Sequence, residues 1–78
     1  MKFEEALNWL ADIFEEDPEN IKPETKREEI PGWDSLGVLT LMAALDEEYD
    51  ILLMEEEMQE LRKIEDIIEI LKKYGKIG

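Results

Sequence analysis

The chain has 78 residues, 44% hydrophobic and 40% charged, which allows one small domain with no room for a second core. Its net charge of −13, from 22 acids and 9 bases, disfavours nucleic acid and anionic membrane surfaces and makes a basic patch on a protein the complementary partner. With no Cys and no His, disulfides, thiolate–zinc sites and Ser-His-Asp or Cys-His catalysis are excluded within the chain.

From Lys2 to Glu16, Phe3, Ala6, Leu7, Leu10, Ile13 and Phe14 recur at helical spacing and predict one amphipathic helix. Trp9 falls at the edge of that stripe. Glu4 and Glu5 sit in the first turn, where the helix dipole favours acids, and Asp17-Pro18 stops the helix. Met1 to Glu5 lacks the basic-then-apolar pattern of a signal peptide, and no apolar run is long enough to span a membrane. The expectation is a cytoplasmic protein and a monomer.

Asp17 to Trp33 contains Pro18, Pro23 and Pro31 and keeps no helical period. It reads as a long ordered loop pinned by Ile21 and Ile30, with Lys22, Lys26 and Arg27 adding local positive charge. A loop of this length needs a role or its own packing.

Ser35 to about Tyr49 predicts a second helix, capped by Asp34 or by Ser35 itself. Val38, Leu41, Met42, Ala44, Leu45 and Tyr49 share a broad arc, while Leu36, Leu39 and Ala43 point away from its centre. Such a helix is buried on several sides or leaves apolar surface for a partner. Glu55 to Leu61 reads as a brief helix with Met58 and Leu61 inward. A last helix runs from about Ile64 to Tyr74, with Ile64, Ile67, Ile68 and Leu71 inside, acids at its start, lysines at its end, and Gly75 as its stop.

In isolation, an Asp-Ser pair before an apolar helix is a cap. Here the serine follows a long Pro-containing loop, precedes a helix with surplus apolar surface, and lies in a short, acidic, four-segment chain. In that setting Gly32-Trp33-Asp34-Ser35-Leu36 resembles the Gly-x-Asp-Ser-Leu motif of the acyl carrier proteins. Ala43 to Ile51 resembles that family's Ala-Leu-Glu-Glu-Glu-Phe helix end, and Asp17 to Thr25 resembles the loop after its first helix.

The resemblance implies an all-α fold: a four-helix bundle of three main helices and one short one, with a long loop between the first two. It implies a non-catalytic carrier in which Ser35, with Asp34 beside it, bears 4′-phosphopantetheine transferred from coenzyme A by a phosphopantetheinyl transferase. The thiol missing from the chain would arrive with that group and hold the cargo as a thioester. Leu36, Met42, Ala43, Asp46, Glu47 and Glu48 match positions that meet partner enzymes: acyl or aminoacyl ligases, synthases and transferases with basic patches. A fatty acyl, polyketide-type or D-alanyl cargo, and a peptidyl-type carrier, stay open. So does a non-carrier reading, an acidic helical interaction module in which Ser35 is only a cap. Clustered carboxylates could also hold a cation, but Asp46 to Asp50 lacks the alternating ligands and the Gly of a calcium loop, so no metal site is expected.

Departures from the family pattern point to a specialised free-standing member. Gly37 and Thr40 stand where fatty-acid carriers often have acids. Trp33 replaces a small residue and is expected to stand beside the arm, and Leu53-Met54 replaces an Ile-Pro step. Gly37 also weakens a helix by about 1 kcal/mol against Ala.

Overall fold

A computed structural model describes residues 1–77. Four α-helices form: α1 (Phe3–Ile13), α2 (Ser35–Tyr49), α3 (Glu55–Gln59) and α4 (Ile64–Lys73), with 3-10 turns at Pro18–Asn20 and Arg27–Glu29. No strand forms among the described residues, which leaves the expected bundle of three main helices and one short one. The residues at the starts of α1, α3 and α4 are Lys2, Met54 and Lys63, whose side chains accept no hydrogen bond there. The third-position acid serves instead. Glu5, Glu57 and Asp66 accept from the backbone N–H of Lys2, Met54 and Lys63 at 3.2, 3.1 and 3.2 Å. That is half of a capping box, and it adds negative charge at the positive end of each helix.

The helix ends differ from the expected bounds for a physical reason. The first helix stops at Ile13 rather than Glu16, because Glu15 turns left-handed (φ 53°) and Glu16 donates to the Ala11 carbonyl at 2.8 Å. At the end of α2, Asp50 is also left-handed (φ 55°), and at the end of α4 Gly75 is (φ 72°), as its glycine allows. Two of these three turns therefore carry a side chain where glycine fits best. Glu15→Gly or Asp50→Gly is expected to stabilise the fold, by about 1 kcal/mol each. Thermal unfolding checks this, and a lower Tm for both would contradict it.

One core runs through the molecule. Leu10, Phe14, Leu41, Leu45, Ile51, Met58, Ile64, Ile67, Ile68 and Leu71 are shut off from solvent, each burial worth roughly 1.5–3 kcal/mol. The stripe on α1 is rotated from expectation: Ala6, Leu10, Ala11 and Phe14 are buried, whereas Phe3 is exposed at the free end of the helix. Trp9 lies at the edge as expected, edge-on to Tyr49 with ring centroids 5.0 Å apart.

The long loop is held at several points. Ile21 and Ile30 are buried, as the sequence predicts. Thr25 Oγ1 accepts from the Lys22 N–H at 3.0 Å and donates to the Asn20 carbonyl at 3.3 Å. The loop is also sewn to the α3–α4 connection. Arg27 donates its backbone N–H to the Arg62 carbonyl at 2.8 Å, Ile64 to Thr25 at 3.0 Å, and Glu65 to Pro23 at 2.9 Å. Lys26 and Lys63 form an antiparallel bridge there.

Little of the negative charge is paired. Among the described residues, the ion pairs are Lys63–Glu65 and Lys72–Glu69, both at 3.8 Å and half-exposed, and such pairs contribute on the order of 1 kcal/mol or less. Self-repulsion therefore opposes the fold, and added NaCl should raise Tm by several degrees. A Tm indifferent to salt would contradict this.

Candidate functional site

The start of α2 is positioned from below by glycine. A methyl group on Gly37 would fall on the Gly32 carbonyl oxygen, and one on Gly32 would fall on the Phe14 carbonyl oxygen. The loop, the end of α1 and the first turn of α2 thus meet backbone to backbone. Gly37 reads as a weak helix residue in the sequence, but here only hydrogen fits.

Trp33 contributes differently from the expectation of an aromatic beside the arm. It is buried and stacks on Phe14, with centroids 5.0 Å apart and planes 14° from parallel. The apolar neighbours of the loop draw it inward, and stacking adds to its burial. Its Nε1 is buried without a hydrogen-bond partner, a cost of about 1–3 kcal/mol that the packing must offset. Arg27 Nε donates to the Trp33 carbonyl at 3.0 Å and fixes the backbone two residues before Ser35.

Of the two cap candidates, Asp34 is the cap. Its Oδ1 accepts from the Gly37 N–H at 2.9 Å. Ser35 is the first helical residue and is exposed, and its hydroxyl is not the group that caps the helix. The first turn of α2 holds no acid, whereas those of α1, α3 and α4 all do. At this positive helix end the Asp34 carboxylate takes the Gly37 N–H, and the Ser35 and Leu36 N–H groups are without a protein acceptor. Two hollows flank the serine. One of about 310 Å³ lies between the end of α1 and α2, against Phe14, Gly32, Asp34, Leu36 and Thr40. The other, about 110 Å³, is lined by Ser35, Val38, Leu39, Glu55 and Gln59.

The partner candidates on α2 divide into a stripe and two flanks. Leu36, Ala43 and Glu47 are exposed and lie within about 40° of one another around the helix, with Asp46 to one side. Leu36 is 71% exposed. Met42 and Glu48 lie about 120° to either side. Met42 is half-buried against the core. Glu48 Oε2 accepts from Trp9 Nε1 at 3.0 Å and so faces α1. Beside it, burial first and then the charges of Glu48 and Glu5 push the Tyr49 hydroxyl above its usual pKa. Leu52 and Met54 are also exposed, in the connection to α3, with nothing in the sequence to mark them. Neither belongs to a periodic segment, so no local signal separates them from buried Ile51 and Leu53. No cluster of acidic residues with metal-holding geometry occurs among the described residues.

The family model described as the phosphopantetheine attachment site matches residues 4–71. The chain is 32% identical over 74 residues to an acyl carrier protein of Campylobacter concisus, covering 95% of this chain and 96% of that protein. Acyl carrier proteins of Campylobacter curvus and Clostridium acetobutylicum match with the same identity and coverage.

Proposed function

The chain belongs to the acyl carrier protein family, whose mark is the phosphopantetheine attachment site, and from that premise we propose that Ser35 is the residue that bears the arm. The protein is an acyl carrier with a phosphopantetheine cofactor. The arm supplies the thiol on which an acyl group is held as a thioester. The observation that supports Ser35 is its place: exposed, first in a 15-residue helix, relieved of capping by Asp34.

The residues at this site fit a phosphodiester. The helix end offers the Ser35 and Leu36 N–H groups and its positive dipole, and the one carboxylate beside it, that of Asp34, is engaged with the Gly37 N–H. Asp34 holds the turn, and the Gly32–Gly37 contact sets where the turn stands. Leu36, Ala43, Asp46 and Glu47 form the surface we assign to partner enzymes with basic patches, including the phosphopantetheinyl transferase. The apolar residues would supply contact area and the acids steering. Met42 and Glu48 act from its flanks. The protein performs no catalysis of its own in this reading, and its place of work is the cytoplasm.

The test is a mass spectrum taken after incubation with coenzyme A and a broad-specificity phosphopantetheinyl transferase. A gain of one phosphopantetheine, lost in Ser35→Ala, is expected. No gain, or a gain that persists in the variant, would overturn the assignment.

A further inference from the structure

Four of the nine basic residues of this acidic chain line one cleft. Lys26 and Arg27 come from the long loop, and Arg62 and Lys63 from the α3–α4 connection, around a space of about 470 Å³. They lie some 35 positions apart in sequence and are joined by the backbone pairing of the two segments. Gathering like charges is unfavourable, and on a chain with 22 acids the neighbours could as easily have been carboxylates. At the rim, Glu28 is the one acid that lines the cleft, and Lys63 also reaches Glu65. The lining itself carries four cations against one acid, while the carboxylates of Glu29, Glu65 and Asp66 stand just outside it, on the Lys26 N–H, the Lys63 ammonium and the Arg62 and Lys63 N–H groups; the concave walls concentrate the field of the cations inside.

The cleft adjoins the hollow beside the serine. Gln59 of α3 is a wall of this cleft and also of the small hollow that holds Ser35. Arg27, one of the four cations, bonds the carbonyl of Trp33, two residues before Ser35. A flexible arm leaving Ser35 along that hollow would run past Gln59, the wall the two spaces share.

We propose that this cleft receives an anionic group at the far end of the tethered cargo, so that the carrier favours an acyl chain ending in a carboxylate or phosphate over a neutral aliphatic one. The inference rests on the attachment at Ser35. It names the class of cargo for that site. Tethering gives the anion a high effective concentration at the cleft, so exposed cations suffice where they would not hold a free anion.

The test compares two cargoes of equal length. The chain is loaded from glutaryl-coenzyme A or pentanoyl-coenzyme A by the transferase, and the mass of each product is confirmed. NMR then follows the backbone amides of Lys26, Arg62 and Lys63 and the Arg27 Nε–H. Shifts with glutaryl cargo, absent with pentanoyl cargo, weakened by added salt and abolished in Arg62→Gln/Lys63→Gln, are expected. Both substituted positions are exposed, so the fold should tolerate the change. Equal shifts with both cargoes, or none with either, would overturn the proposal. So would equal shifts from the same concentration of free glutarate added to the unloaded chain, which would mean an adventitious anion only. A chain that gains no mass overturns the Ser35 assignment, and the role of the cleft with it.

Discussion

Ser35→Ala should lose phosphopantetheine loading completely while melting at the temperature of the parent chain. The two effects separate because the structure divides two jobs between adjacent residues. The cap is Asp34, whose carboxylate takes the Gly37 N–H at 2.9 Å. The serine is an exposed first-turn residue, so removing its hydroxyl changes stability by no more than about 0.5 kcal/mol. Asp34→Ala should do the reverse in part. Loss of the cap costs about 1 kcal/mol, which lowers Tm by about 4–8 °C in a domain of this size. It also frays the turn that presents Ser35, so loading should slow without vanishing. Mass spectrometry and thermal unfolding of both variants read the outcome. A Ser35→Ala chain that melts as low as Asp34→Ala would show that the serine shares the capping.

Gly37→Ala should destabilise the protein, against the rule for helices. Propensity alone favours Ala over Gly in a helix by about 1 kcal/mol. Here the added methyl group falls on the Gly32 carbonyl oxygen and comes within 3.5 Å of Phe14 Cδ1. The obstacle is backbone, which cannot swing aside as a flexible side chain would. The loop or the start of α2 must move, and overpacking of this kind costs typically 1–3 kcal/mol. A net loss of about 1–2 kcal/mol is expected once the propensity gain is set against it. Tm should drop by about 4–8 °C for each kcal/mol. Loading at Ser35, two residues away, should slow in proportion. A Tm above that of the parent would mean that the contact yields easily and propensity rules.

The serine and its aspartate were visible from the chain, because a motif of adjacent residues before a helix is local. The exposure of Leu36 and Ala43 was legible for a similar reason: fifteen residues at 100° each set which of them lie off the inner arc of α2. Trp33 misled, since its neighbours along the chain are the motif while its neighbours in space are Phe14 and the core. Phe3 misled in the opposite sense. Its spacing suits the buried stripe, but it lies in the first turn, at the exposed end of α1.

The sequence by itself determined the helices, their approximate ends, the acidic surface, the absence of side chains for conventional nucleophilic catalysis, and the motif that marks the family. All of these follow from composition or from interactions among residues a few positions apart. Tertiary structure alone decided three things. Gly37 is required because the Gly32 backbone lies against it. Trp33 packs inward because Phe14 offers it a face. Lys26, Arg27, Arg62 and Lys63 share one cleft because two distant segments pair through their backbones. Each depends on a neighbour that only the folded chain supplies, and no period or local propensity encodes such a neighbour.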